Sequence, residues 1–313
     1  MKRKVQILMS TYNGEKFLRK QLDSIYSQED ISFNILVRDD GSQDNTLKIL
    51  REYQTQYGKM EILEGENVGP AMSFYLLQIN ANKTFDYFAF SDQDDIWYPD
   101  KLKQAVACLE KSNDKYRYYY CNFDIIDSDD NIFGTGYMMP YANYKTVIFR
   151  NHCLGCSQVF NSSLLERSLD IFSFINSEGF TSRDLMLHDV WMTNLAYFLD
   201  SFIYCDEQKR FGYRQHGGNV THYTGKSKLK KFCDNFKTFK YVTPSPFSHA
   251  ALCLKNYELS YIEKEKKDFL NKVIHYKDNL FHTILFAFQY SWQFRKSLPM
   301  AMYTFLLIMA RRF

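Results

Sequence analysis

The chain has 313 residues and a hydrophobic fraction of 45%, which supplies a sizeable core and excludes a disordered protein. Its net charge of +3 is too small to make nucleic acid the default partner. Seven cysteines, an odd number without regular spacing, argue against a disulfide framework and for a reducing compartment.

Met1-Lys2-Arg3-Lys4 runs straight into Val5–Met9, an apolar stretch too short for a secretory leader, so a cytoplasmic location is expected. Val5–Met9 reads as a buried strand. A helix follows Asn13, a fitting N-cap, with Leu18, Leu22 and Ile25 on one face. A second strand over 33–37 precedes a polar loop and a helix aligned on Leu50, Tyr53 and Tyr57. A shorter strand at 60–63 leads to Asn67-Val68-Gly69-Pro70 and another helix to about Asn80. The strand Tyr87–Phe90 then meets an acidic turn, followed by a helix from Pro99 to about Lys111. Strands alternating with helices of this length predict βαβ units and a mainly parallel sheet covered on both faces.

After Tyr116 the rhythm changes to a β pattern, and Asp127–Asn131 is the turn of a predicted hairpin. Helices are expected at about 164–174 and 190–199, and two short strands at 201–205 and 211–213. From Lys226 the composition shifts. Six lysines between 226 and 240 alternate with Phe232, Phe236 and Phe239, and the region beyond Pro246 reads as helices. The apolar run 300–310 is shorter than the ~20 residues a membrane span needs. A solvated helical annex and an interfacial contact with an anionic membrane both fit this region. The expected division is 1–225, made of halves 1–111 and 112–225, with a helical extension over 226–313.

The chemistry concentrates in Ser91-Asp92-Gln93-Asp94-Asp95-Ile96-Trp97. Three carboxylates at one strand end repel each other unless a cation or donors neutralise them. Hard oxygen ligands without a nearby His or Cys suit Mg²⁺ or Mn²⁺ sharing its shell with phosphates. Alone, the turn is equally a solvated helix cap. Three further polar clusters end strands: Ser10–Gly14, Arg38–Thr46 and Asn67–Gly69. In a parallel sheet such ends share one edge, where ligands bind. The pair Cys153 and Cys156 reads as core or pocket wall rather than a zinc site.

Together these motifs, with Tyr98-Pro99-Asp100-Lys101-Leu102 after the acidic turn, resemble family-2-type nucleotide-sugar glycosyltransferases of the GT-A fold. The likeness covers roughly the first two hundred and twenty positions. The Phe90–Trp97 form is most similar to bacterial rhamnosyltransferases that build cell-wall, O-antigen or capsule polysaccharide. The resemblance implies an α/β GT-A architecture, Rossmann-like with flanking helices and a helical C-terminal extension. It implies that Thr11 and Tyr12 lie along the base, and that Asp40, with Asp39 beside it, receives the pyrimidine. Asn13 and Asn67 join this nucleotide-sugar-binding set. Asp92 approaches the ribose or the metal shell, and Asp94 ligates the divalent ion. Asp95 supports the turn.

His188-Asp189 matches the family's acidic pair, which makes Asp189 the expected catalytic base, although a first-turn carboxylate also serves as a helix cap. Tyr213–Thr221 resembles a lid whose Arg214 and His216 meet the diphosphate, with Gly217-Gly218 as hinge. The implied reaction inverts the anomeric centre of dTDP-L-rhamnose, or of a UDP-sugar, onto a saccharide hydroxyl, the acceptor being polyprenyl-linked. A UDP-hexose or UDP-N-acetylhexosamine donor is the alternative within the family. A non-catalytic nucleotide-sugar-binding scaffold would be expected to lose Asp94 or Asp189. A metal-dependent phosphohydrolase would need more histidines.

Overall fold

The computed structural model describes residues 3–138, 140, 143–148, 153–177, 186–217, 264–276, 278–292 and 298–309. The lysine-rich stretch 226–240, the end of the expected lid and the 225/226 boundary all lie outside the described residues. Among the described residues nine strands, β1 (Lys4–Thr11), β2 (Ser32–Asp39), β3 (Met60–Glu64), β4 (Tyr87–Ser91), β5 (Ile96–Trp97), β6 (Arg117–Ile126), β7 (Ile132–Gly136), β8 (Val159–Asn161) and β9 (Phe202–Arg214), form one sheet in the order β3-β2-β1-β4-β8-β6-β9-β5, with β7 paired to β6. The first half is parallel: β1 (Lys4–Thr11) lies between β2 (Ser32–Asp39) and β4 (Tyr87–Ser91), and β3 (Met60–Glu64) forms the edge. Val5, Ile7, Leu8 and Met9 have no exposed surface, as expected of a central strand covered on both faces.

Helix α1 (Glu15–Tyr26) presents Leu18, Leu22 and Ile25 to the core, all fully buried. Each contributes about 1.5–3 kcal/mol by leaving water. The expected cap is displaced by one residue: Gly14 is the N-cap, and Asn13 sits in left-handed backbone at φ 47°. Its side-chain oxygen accepts instead from the Gln43 N–H at 2.8 Å, tying two loops together. Helices α2 (Thr46–Tyr57), α3 (Pro70–Asn80) and α4 (Lys101–Leu109) complete the βαβ units.

The acidic turn is followed by a two-residue strand, β5 (Ile96–Trp97), too short to show a periodicity. Strands β6 (Arg117–Ile126) and β7 (Ile132–Gly136) make the expected hairpin. Tyr118, Tyr119 and Tyr120 are all fully buried rather than alternating. Tyr118 Oη meets Thr193 Oγ1 at 2.7 Å and Tyr119 Oη donates to Asp206 at 2.8 Å, so both faces of β6 are covered. The two strands expected at 201–205 and 211–213 are one, β9 (Phe202–Arg214), parallel to β6 with register shifts near Cys121 and Asn122. The charged run between them hid its continuity.

Helix α5 (Tyr144–Val147), a 3₁₀ turn at Gly155–Ser157, β8 (Val159–Asn161), α6 (Ser162–Ser177) and α7 (His188–Phe198) build the second half. Three more helices follow: α8 (Lys264–His275), α9 (Leu280–Ser291) and α10 (Leu298–Met309). Helix α8 is fastened to the far end of α7. Buried Lys266 donates to the Phe198 carbonyl at 2.9 Å and pairs with Asp200. Phe269 packs on Tyr144, Phe198 and Tyr290. No helix among the described residues is long and apolar enough to cross a membrane.

Phe269→Ala is expected to weaken this attachment by about 3–5 kcal/mol, the cost of an unfilled aromatic site. Urea unfolding followed by circular dichroism should then lose helical signal before the sheet domain melts.

Candidate functional site

Register places the polar clusters on one edge. Thr11 pairs with Asp39, and Met9 with Ser91, so the ends of β1, β2 and β4 stand side by side. The carboxylates after β2 are buried and wired internally. Asp39 accepts from Thr11 Oγ1 at 3.0 Å, the Ser42 N–H at 2.9 Å and Ser42 Oγ at 2.6 Å. Asp40 accepts the Val68 and Gly69 N–H groups, both at 2.9 Å, and pairs with Arg38. Arg38 also donates to Ser73 Oγ at 3.2 Å and the Glu66 carbonyl at 3.0 Å. Asp40 thus holds the loop carrying Asn67 against β2. Gly41, at φ 80°, permits this approach, since a Cβ there would lie 3.1 Å from the Asn67 nitrogen.

Tyr12 is 45% exposed, a free ring face on the edge of this floor. Its backbone is clasped by Gln93, which accepts the Tyr12 N–H at 2.9 Å and donates to its carbonyl at 3.0 Å. A Cβ on Gly14 would meet Gln93 Oε1 at 2.1 Å, so a side chain there would displace the clasp. The middle residue of the acidic turn therefore joins β1 to β4, a role that its position between two aspartates does not reveal.

Asp92, Asp94 and Asp95 face different partners. Asp94 Oδ2 lies 2.6 Å from His216 Nε2. Asp95 is fully buried. Its Oδ1 accepts the Arg214 N–H at 3.1 Å, and its Oδ2 has no N–H or O–H donor among the described residues. Ligand atoms of Asp92, Asp95 and Cys156 lie within 4.8 Å of one another. Burial, then repulsion from Asp94 and Asp189, raises the Asp92 carboxyl above its usual range. Asp95 is raised further by burial and by Asp94 and Asp92. Burial, with Asp95 and Asp92 nearby, likewise raises the Cys156 thiol well above its usual range. Lys101 is fully buried with its Nζ 3.7 Å from the Trp97 ring centre, and burial lowers its pKa against the opposing pull of Cys121, Cys156 and Asp95.

Arg214 is fully buried rather than open to a ligand. Its guanidinium donates to the Asp94 carbonyl at 2.7 Å and the Asp127 carbonyl at 2.6 Å, pairs with Asp130 at 2.6 Å, and lies over Phe17. It braces the acidic turn against the β6–β7 hairpin. His216, at the start of the expected lid, packs on Phe17 and reaches the turn.

Asp189 enters from the second half as the second residue of α7, which begins two positions before the expected 190. The Val190 N–H donates to its Oδ1 at 2.7 Å. Burial pushes the carboxyl up to about 6, against the pull of the Val190 and Gly155 N–H groups. His188 stacks on Phe74 at 3.6 Å and meets the edge of Phe90, and burial drives it down to about 3, so it is neutral. Cys153 and Cys156 are both buried.

The donor set fits a hard divalent cation. Asp92 and Asp95 bring carboxylate oxygens within 4.8 Å of each other, Asp94 is turned to His216, Asp95 Oδ2 has no N–H or O–H donor among the described residues, and the repulsion at Asp92 falls when a cation arrives. The cluster does not resemble a His-rich dinuclear site.

The glycosyl transferase family 2 model matches residues 6–169. The dTDP-rhamnosyl transferase RfbG of Shigella flexneri is 33% identical over 217 residues, covering 67% of this chain and 72% of that protein. The UDP-Glc:alpha-D-GlcNAc-diphosphoundecaprenol beta-1,3-glucosyltransferase WfgD of Escherichia coli is 27% identical over 179 residues, covering 56% and 66%. Among solved structures, S. aureus TarS 1-349 aligns with a TM-score of 0.55 at 17% identity, covering 100% of this chain and 82% of that one. The mannosyltransferase PcManGT of Pyrobaculum calidifontis, solved with GDP-Man and Mn²⁺, aligns at 0.53 and 16% identity over 97% and 74%. These structural likenesses establish the fold.

The raised Asp189 carboxyl has a consequence for stability. A carboxylic acid favoured in its protonated form by folding costs stability as pH climbs from its unfolded value toward about 6. Asp189→Asn should therefore raise the melting temperature above pH 6 and leave it nearly unchanged below pH ~4, measured by scanning calorimetry across pH.

Proposed function

The chain belongs to glycosyl transferase family 2, and from that premise we propose that it transfers L-rhamnose from dTDP-L-rhamnose to a hydroxyl of a lipid-linked saccharide, with inversion. The protein is a glycosyltransferase with the GT-A fold. The observation that carries the mechanism is the approach of Asp189, from the opposite half of the sheet, to Asp92 in the acidic turn after β4, close enough to help raise the Asp92 carboxyl.

Asp92 and Asp94 would hold Mg²⁺ or Mn²⁺, which supplies positive charge where the diphosphate leaves. Thr11, Asp39 and Asp40 shape the floor for the nucleoside, and Tyr12 offers its ring to the base. Asn13 and Asn67 belong to the loops pinned on either side. His216 is placed to exchange Asp94 for a phosphate oxygen. Arg214 acts indirectly, by fixing the backbone of the acidic turn. Asp189 takes the acceptor's hydroxyl proton as that oxygen attacks C1 from the face opposite the leaving group. One displacement inverts the anomeric centre. A carboxyl near 6 is deprotonated at neutral pH yet basic enough to accept that proton.

The dTDP-rhamnosyl transferase relative favours a deoxythymidine donor. The glucosyltransferase relative keeps a UDP-hexose in contention and favours an undecaprenol-linked acceptor on the inner face of the cell membrane. Participation in O-antigen or capsule synthesis follows from that acceptor class.

Purified protein with Mn²⁺, a lipid-linked acceptor and a panel of nucleotide-sugars should release nucleoside diphosphate from dTDP-L-rhamnose in preference to UDP-hexoses. Faster turnover of a UDP-sugar would reassign the donor. Asp189→Asn should bind donor normally and lose at least ~100-fold in kcat, the usual worth of a general base. The wild-type kcat/KM should rise with pH through about 6. Asp94→Ala should lose cation-dependent donor binding.

A further inference from the structure

Helix α9 carries two opposed apolar faces. Thr283, Phe286, Ala287 and Tyr290 face the protein and are buried. At 100° per residue, Phe281, Leu285, Phe288 and Trp292 line the other side, exposed by 67%, 51%, 64% and 66%. Phe288 meets Phe305 of α10 edge-on at 5.0 Å, and the exposed Met302 and Leu306 extend the surface. A contiguous apolar face of this kind marks an interaction site.

Its charge pattern selects the partner. From Leu280 to Phe313 the sequence has no Asp or Glu, and its only Lys or Arg residues are Arg295, Lys296, Arg311 and Arg312, which bracket α10. Each helix has 12 residues, about 18 Å of length and too short for a bilayer core of ~30 Å. Apolar helices with aromatic residues and cationic flanks suit the headgroup boundary of an anionic bilayer. A two-fold contact with a second copy would instead bring like charges together.

We propose that the α9–α10 face is an interfacial anchor that seats the protein on an anionic lipid surface. The anchor is joined to the reaction centre. Helix α8 fastens it to the Phe198 end of α7, and Asp189 stands at the other end of the same helix. The acceptor-side base is thereby held at a fixed height over the membrane. This last point rests on the proposed acceptor; the anchoring itself does not.

The test uses the full chain and vesicles of phosphatidylglycerol and phosphatidylethanolamine without any saccharide. Trp97 and Trp191 are 1% and 3% exposed, so Trp292 is the reporter on the proposed face. Flotation with these vesicles is expected, as is quenching of tryptophan emission by brominated acyl chains, both weakened by salt and by replacing phosphatidylglycerol with phosphatidylcholine. Leu285→Asp with Phe288→Asp should lower the floated fraction about tenfold or more while leaving transfer to a detergent-solubilised acceptor intact. Trp292→Phe should still float but lose the quenching. Absence of flotation at low salt overturns the anchor without touching the glycosyl-transfer reading. So does a dimer that the double variant converts to monomer while vesicle binding is unchanged.

Discussion

Repulsion among carboxylates in a poorly solvated cleft is the constraint around which this protein is organised. Asp92, Asp94 and Asp95 stand at the end of β4, and Asp189 adds a fourth negative group from α7. Such a cluster costs stability unless the surrounding structure holds it in place. Arg214 does so through the Asp94 carbonyl and the hairpin turn, and His216 through a direct contact with Asp94. The residual cost appears as protons held more tightly than usual, most plainly on Asp95 and Asp92. A cation would relieve that repulsion, which is the basis of the proposed metal and diphosphate site.

A second layer of wiring keeps the nucleotide side rigid. Asp39 and Asp40 spend most of their accepting capacity on Thr11, Ser42, Val68, Gly69 and Arg38. They therefore shape a floor as much as they offer themselves to a ligand. The Gln93 clasp sets the position of Tyr12 from the same turn that bears the acids, so Tyr12 and the acidic turn cannot drift independently.

Much of this was legible in the sequence because strand ends in a parallel sheet share an edge. The order of β1 to β4, the hairpin at Asp127 and the helix bearing Asp189 follow from periodicity and turn chemistry. Strand β5 was not legible, since two residues carry no period, and β9 was broken in the reading by its charged middle. The burial of Arg214 was hidden for a different reason: a cation two residues from a histidine in a glycine-rich segment looks like a phosphate ligand. Only the three-dimensional approach of the 127–130 turn turns it inward. The proximity of Cys156 to Asp92 and Asp95, and the place of Lys101 beneath them, are long-range contacts with no local signal.

The central claim is that these acids assemble one cation site completed by a nucleoside diphosphate. Electron paramagnetic resonance of free Mn²⁺, titrated with wild-type protein in the absence and presence of dTDP or UDP, tests it most directly. The account predicts weak binding alone and one tightly held ion per chain once the diphosphate is added. Diphosphate binding that is equally tight in excess EDTA, with no Mn²⁺ withdrawn from solution, would contradict it.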